Sequence, residues 1–302
     1  MYVRLFFEFF TSGTKVDKTR IQPVGGDHAI EVMAIGVEWT APLDDSRLHA
    51  LQSIYTDNQK LKDLFPQFAP IQAFLIQGIH QIAGTSQQLL QEPDDITHPQ
   101  FVAKASGFDA NRVEADGKIS WGISIRPEFL SCTCTAYDRW KNVKPSVLEA
   151  LGPFIDAALG LGAEINAIGL QYQDAFRLLD GISPETTKQL FRQESRWIPS
   201  HLFDEPSFWH CNQGWFSNGY NSRRILNNIT TDLAEVDGVH FARIGGQHRI
   251  FSISFDGKTQ NRIEKSDIDD VLEGLHEENK NLINEMLSDG ALEAIGCSVE
   301  RA

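Results

Sequence analysis

Two segments of the chain share one pattern of alternating apolar and polar positions, interrupted by an Asp-Gly pair and followed by an amphipathic helical stretch. The first covers residues 107–137 with its turn at Asp116-Gly117, and the second covers residues 239–267 with its turn at Asp256-Gly257. Asp-Gly between two alternating runs is a strong signal for a two-residue β-hairpin. The pattern therefore predicts an α+β fold, in which curved antiparallel sheets pack against long amphipathic helices.

The clearest strand is predicted at residues 119–125, where large apolar residues alternate with small polar ones across the two faces. The other strands predicted in the N-terminal half are residues 5–10, 28–39, a short one within 127–136, and 164–176. In the last of these, Ile168, Leu170 and Tyr172 share one face. Residues 71–82 are an apolar run that periodicity cannot assign to strand or helix, and strand is the favoured interpretation. The strand at residues 28–39 is expected to be largely buried.

Apolar residues at helical spacing predict long helices at residues 46–65, at residues 137–155 and from Ser266 to Leu287. Pro145 and Pro153 are expected to kink or divide the second helix, because proline removes a backbone hydrogen bond. Ser266 is the predicted N-cap of the third helix. Ser183-Pro184-Glu185 is expected to open a further, short helix.

The C-terminal half predicts a second sheet. Its strands are expected at residues 214–220, 222–231, 239–243 and 248–255, with a turn at Gly245-Gly246. A helical connector over residues 177–206 separates these strands from the N-terminal ones. The sequence therefore predicts two α+β domains, residues 1–180 and residues 181–302.

The composition of the chain disfavours two classes of binding partner, nucleic acids and membranes. With 27 basic and 41 acidic residues, the net charge of −14 opposes binding along a nucleic-acid backbone, which depends on clustered Lys and Arg. The longest apolar cluster at the N-terminus, residues 5–10, is too short to span a bilayer, so no membrane association is expected. Four cysteines without a secretory signal are typical of a reducing compartment, and we expect a cytoplasmic protein.

Catalytic motifs are missing from the sequence: it has no nucleophile elbow, zinc-protease helix, Walker loop or dinucleotide fingerprint. Asp116-Gly117-Lys118 and Asp256-Gly257-Lys258 resemble half of a metal-dependent nuclease site. Since both stand where a hairpin turn is expected, the turn is the favoured interpretation. No catalytic residue and no cofactor is therefore predicted.

Histidine and cysteine side chains are the remaining candidates for a metal site. Those considered are His201, His210, Cys211, His240 and His248. Their spacing matches no zinc pattern, which favours separate surface or hydrogen-bonded residues, and no metal site is predicted. Cys132 and Cys134 lie on one face of a predicted strand and are interpreted as small buried hydrophobes.

The segment from Phe208 to Phe216 is the most unusual in composition. Its candidate binding residues are Phe208, Trp209, His210, Gln213, Trp215 and Phe216. Aromatic rings around a few polar groups are typical of ligand pockets and of protein-binding hot spots. They are also typical of a core, which is the favoured interpretation of the rings themselves. Within the sequence, this segment is nevertheless the best candidate contact region.

Five short segments carry a resemblance to a known family. They are Ala29-Ile30-Glu31 with Trp39, Tyr137-Asp138-Arg139-Trp140, Ile168-Gly169-Leu170-Gln171-Tyr172, Trp209-His210 with Gly214-Trp215-Phe216, and Leu275-His276. With these segments the chain resembles a sporadically distributed family of uncharacterised prokaryotic proteins over most of its length. The resemblance implies an α+β architecture and a gene context such as a defence or toxin-antitoxin-like set, but no activity.

The leading hypothesis is a non-enzymatic binding or accessory protein that recognises a protein partner or a small ligand, or that forms a homo-oligomer. A second hypothesis is a metal-dependent hydrolase or nuclease. Its candidate residues are His210, His240, His248, Asp256 and Lys258. A third is a purely structural subunit of a larger complex.

Overall fold

One antiparallel sheet of ten strands organises the residues that the computed structural model describes, which are 20–77, 100–218, 223–252 and 262–297. The helices and this sheet give the predicted α+β class. The predicted strand at residues 5–10, the end of the apolar run 71–82 and the Asp256-Gly257 turn lie outside the described residues.

The strands differ in length from three to fourteen residues. They are β1 (Ile21–Pro23), β2 (Ile30–Trp39), β3 (Gln67–Gln77), β4 (Gln100–Val113), β5 (Ile119–Ile125), β6 (Phe129–Cys134), β7 (Ile165–Leu178), β8 (Trp209–Asn218), β9 (Arg224–Val236) and β10 (Val239–Phe251). Their order across the sheet is β3-β4-β5-β6-β2-β7-β10-β9-β8, and β1 pairs with the end of β7 beside β2. The alternation that predicted β2, β5 and β7 is confirmed.

Six α-helices lie within the described ranges. They are α1 (Asp45–Asp57), α2 (Gln59–Leu64), α3 (Trp140–Gly160), α4 (Pro184–Leu190), α5 (Ile268–Met286) and α6 (Asp289–Ala294). None of them is long and apolar enough to cross a membrane. Ser183 caps α4 by accepting a hydrogen bond from the Thr186 backbone N–H at 3.2 Å, as its sequence predicts.

Two helix predictions need correction. The single helix expected at residues 46–65 is interrupted at Asn58, whose side chain accepts a hydrogen bond from the Leu61 backbone N–H at 3.2 Å and so starts α2. Ser266 is not the N-cap of the C-terminal helix. A 3-10 turn precedes α5, and Glu264 and Asp267 form a reciprocal capping box around it. In α3, by contrast, the helix runs on through Pro145 and Pro153.

The predicted turn at Gly245-Gly246 is wrong, because both glycines lie inside the continuous strand β10. A Cβ atom on Gly246 would lie 2.5 Å from Oδ1 of Asn279, so this glycine allows α5 to approach the sheet. The chain reverses instead at Asp237-Gly238, where φ is 52° and 77°. Two consecutive left-handed residues are what a type I′ hairpin requires.

Alanine at Gly238 is expected to destabilise the fold by about 1 kcal/mol, because a side chain is disfavoured at positive φ. Gly160 in the last turn of α3 is the matched control. A Cβ atom there would meet nothing within 4 Å beyond its chain neighbours and the backbone of its own helix, so Gly160→Ala should stabilise by up to about 1 kcal/mol. Urea unfolding measures whether each variant has a lower or a higher free energy of unfolding than wild type. A Gly238→Ala variant as stable as wild type would contradict the left-handed turn.

Two clusters of buried apolar residues lie along this one sheet, and they meet on β7 and α5. Tyr172 and Leu275 belong to the first cluster, whereas Phe176 and Leu282 belong to the second. The predicted domain boundary at residue 180 follows β7, yet β7 pairs with β2 on one side and with β10 on the other. The division into two domains stays a prediction.

Candidate functional site

A cavity of about 600 Å³ lies between the sheet and α5, where the two apolar clusters meet. Six parts of the chain form its walls: the start of β2 with the residues before it, the residues that lead into α3, the middle of β7, Arg192 after α4, one face of α5 and the end of α6 with the residues after it. The side chains that matter for its chemistry are His28, Tyr137, Arg139, Trp140, Tyr172, Asp174, His276 and Lys280.

Asp174 is the most informative side chain in the cavity. Side chains alternate along β7, so Asp174 shares its face with Tyr172 and Phe176 and points towards the cluster junction. It is 5% exposed, and among the described residues none donates a hydrogen bond to its carboxylate or forms an ion pair with it. Burial raises the pKa of Asp174 from its ordinary value of 3.8 to about 7.

Aromatic rings line the cavity around this carboxylate. His28 meets Tyr137 edge-on at 5.6 Å between ring centroids, and Tyr137 meets Tyr172 edge-on at 6.1 Å. Trp140 lies 6.4 Å from Tyr172 and stacks on His276 at 4.4 Å with an interplanar angle of 13°. We call these five rings the ring wall. Their mutual packing fixes the shape of the cavity.

Hydrogen bonds hold the ring wall in place from the α5 side. The Tyr172 hydroxyl lies 2.9 Å from Nδ1 of His276. Nε1 of Trp140 donates to Oε2 of Glu273 at 2.9 Å, and the same oxygen accepts from Lys144 at 2.9 Å. Burial lowers the pKa of His276 to about 4, so its ring is neutral near pH 7.

His28 also carries a polar atom without a partner, but this atom does not face the cavity. Nδ1 of His28 is fully buried and has no hydrogen bond within the described part of the chain. Its ring packs over Gly25, where a Cβ atom would lie 2.2 Å from the ring. Native proteins rarely leave buried polar atoms unsatisfied. The unpaired polar group that lines the cavity is therefore the carboxylate of Asp174.

The cations near the cavity already have anionic partners. Arg139 pairs with Asp27 at 2.8 Å, and Arg192 pairs with Asp289 at 2.8 Å. Lys280 pairs with Glu277, also at 2.8 Å. Three basic side chains line the cavity, yet among the described residues none forms an ion pair with the carboxylate of Asp174.

Next to the cavity, His248 is buried in a small polar network. Its Nδ1 lies 2.7 Å from Oδ1 of Asn227, and its Nε2 lies 3.1 Å from Oδ1 of Asn279 on α5. Burial lowers the pKa of His248, which favours the neutral ring. Because Asn279 also lines the cavity, this network connects the sheet to the cavity wall.

The residues considered for a metal site are spread over the molecule. His240 and His248 lie eight residues apart on β10, roughly 26 Å at about 3.3 Å per residue, and His210 lies on β8. No group of three His, Cys, Asp or Glu side chains in the described ranges has an arrangement that suits a metal ion. Asp256 and Lys258 lie outside those ranges. Cys132 and Cys134 are both buried, which confirms their interpretation.

The aromatic segment is divided between the two faces of β8. Trp209, Gln213 and Trp215 face the second apolar cluster, and Trp215 stacks on Trp197 at 4.0 Å. Gln213 donates a hydrogen bond to the backbone carbonyl of Trp197. His210 and Phe216 are exposed on the opposite face. Phe208 precedes the strand and is 57% exposed. The six predicted contact residues therefore do not form one surface.

The cavity was not predicted from the sequence, although one signal for it is present. An acid interrupts the apolar face of β7 between Tyr172 and Phe176. Four of the five segments that carry the family resemblance also contribute a residue to the cavity: Ala29-Ile30, Tyr137 to Trp140, Tyr172 and His276. No known family model matches the chain, and no curated protein is significantly similar to it.

Proposed function

We propose that the protein is a non-enzymatic binding protein, and that it holds a small polar molecule in the cavity beside Asp174. The observation that carries the proposal is the buried carboxylate that faces a cavity of about 600 Å³ and has no partner in the part of the chain that the structure describes. A volume of this size is within the range of small-molecule sites. Perturbed pKa values such as that of Asp174 also concentrate at functional sites.

Energetics support the same conclusion. A charged group loses its hydration when it is buried, and without compensation the loss costs several kcal/mol. An apolar residue at position 174 would continue the alternation of β7 and join the two clusters. The chain instead carries an acid there, at a cost to its own stability. A ligand that offsets this loss of stability on binding explains why the acid is present.

Native mass spectrometry of the protein after incubation with a total metabolite extract tests the proposal. We expect a small-molecule adduct on wild type and its loss in Asp174→Asn, which keeps the shape of the side chain. Asp180→Asn is the matched control, because Asp180 is exposed at the end of the same strand and pairs with Arg20. It should retain the adduct. An adduct that survives Asp174→Asn, or no adduct on wild type, would contradict the proposal.

Recognition of a protein partner through β8 is the second candidate function. Within the described part of the sheet, β8 forms an outer edge, and such edges can pair with another chain. Phe216 on its outward face is 46% exposed. With a protein lysate in place of the metabolite extract, this function would appear as the added mass of a whole polypeptide that Phe216→Arg removes and Asp174→Asn does not.

A further inference from the structure

The uncompensated charge inside the cavity is negative. Asp174 is the acid that faces its interior, and the basic side chains around it are engaged with Asp27, Asp289 and Glu277. A ligand group that neutralises the carboxylate removes the cost of its burial. An anionic group would instead add like charge next to it. A neutral group would leave the charge uncompensated.

The ring wall favours the same sign of charge. The face of an aromatic ring is negative, and it attracts organic cations within about 6 Å of the ring centre. Tyr137, Trp140 and Tyr172 are adjacent in the wall, with centroid separations of 6.1 and 6.4 Å. Aromatic rings beside a buried carboxylate are a favourable environment for an ammonium group. The same arrangement stabilises an uncharged polar group much less.

The hydrogen-bonding groups of the cavity also match those of an ammonium group. A primary ammonium group carries three N–H donors and no acceptor. The ionised carboxylate of Asp174 only accepts hydrogen bonds. The partner that it lacks among the described residues is therefore a hydrogen-bond donor.

We infer that the cavity binds the protonated amino group of an organic amine, with Asp174 as the counter-ion and the ring wall around the ligand. The inference rests on the proposed function, since it names the chemical class of the molecule that the cavity would hold. No covalent bond is formed or broken, so the ligand enters and leaves chemically unchanged.

Three probes of similar shape and different charge test the inference: benzylamine, benzyl alcohol and benzoate. Calorimetric titration of the full chain at pH 7.5 should give the highest affinity for benzylamine, with benzyl alcohol roughly tenfold weaker or more and benzoate weakest. In Asp174→Asn, the affinity for benzylamine should fall to that for benzyl alcohol. Asp180→Asn should leave all three affinities unchanged.

The pH dependence provides a second readout. Besides Tyr172 on its own strand, the titratable or charged groups that face Asp174 across the cavity are His28, Tyr137, Arg139, Arg192, His276 and Lys280, together with Cys297. Because the ionised carboxylate is the binding form and its pKa is about 7, affinity for benzylamine should rise up to tenfold per pH unit below pH 7 and level off above it. Asp174→Asn should flatten this profile, whereas His28→Gln should retain it.

The outcomes separate this inference from the proposed function. If benzoate or benzyl alcohol binds as well as benzylamine, or if Asp174→Asn does not change the affinity for benzylamine, the amine class is wrong and the ligand-binding cavity stands. A retained profile in Asp174→Asn would assign the pH dependence to another group and overturn the role of Asp174. If no probe binds and no metabolite adduct forms, the proposed function fails as well.

Discussion

Replacing Asp174 with Asn is expected to raise the free energy of unfolding at pH 8 by up to about 4 kcal/mol. The pKa of Asp174 is about 7 in the fold against 3.8 ordinarily, a difference of about 3 units. Each unit corresponds to about 1.36 kcal/mol. Since burial disfavours the charged form, the cost is absent below pH 3.8, grows between pH 3.8 and 7, and is complete above pH 7. Urea unfolding at pH 4, 6 and 8 measures the difference.

The same series contains its control. Asp180→Asn removes an exposed carboxylate, and its effect on stability should be small at every pH. A variant Asp174→Asn that is less stable than wild type at pH 8 would mean that the carboxylate has a stabilising partner in solution. If the expected result is obtained, loss of the adduct in this variant cannot be attributed to unfolding, because the variant is the more stable protein.

Replacing Trp215 with Ala is expected to lower the free energy of unfolding by about 2–3 kcal/mol, because the ring packs on Trp197 and on the second apolar cluster. Phe216→Ala on the opposite face of β8 should have a smaller effect, since nearly half of that side chain is already exposed. Both variants should retain the metabolite adduct, because neither residue lines the cavity. Urea unfolding and native mass spectrometry measure the two properties.

This pair of variants also decides the role of the aromatic segment. If Trp215→Ala keeps the stability of wild type and loses the adduct or a protein partner, then the ring contacts a ligand. Loss of stability with binding retained would instead confirm that Trp215 is a core residue. The stacking on Trp197 favours the second result.

Local periodicity was enough to predict much of the sheet. In β5 the apolar and the small polar residues separate onto the two faces over seven residues, and in β7 Ile168, Leu170 and Tyr172 share one face, so the alternation alone identifies both strands. In β10 the same method failed. Gly245 and Gly246 are typical of a turn, whereas the missing side chain of Gly246 in fact accommodates Asn279 of α5, which is 33 residues later in the sequence. The chain reverses at Asp237-Gly238, within the connection between the strands predicted at residues 222–231 and 239–243.

The cavity depends on contacts that local patterns do not record. His28, Tyr137, Asp174 and His276 come from four distant parts of the chain, and they meet only because β2 pairs with β7 and α5 packs across both apolar clusters. Asp174 was visible in the sequence as an acid on an apolar face. Without the strand order, however, nothing indicated that it faces a cavity or that no cation accompanies it.

The order of the strands has a consequence for synthesis of the chain. The largely buried strand β2 ends at residue 39, and its first partner, β6, begins at residue 129, which is 90 residues later. At about 5–20 residues per second, the apolar face of β2 waits for roughly 5–20 seconds before either neighbour exists, and β7 follows later still. The centre of this sheet therefore cannot assemble until more than half of the chain has been made, and during that interval the nascent chain depends on other contacts to protect the apolar face of β2.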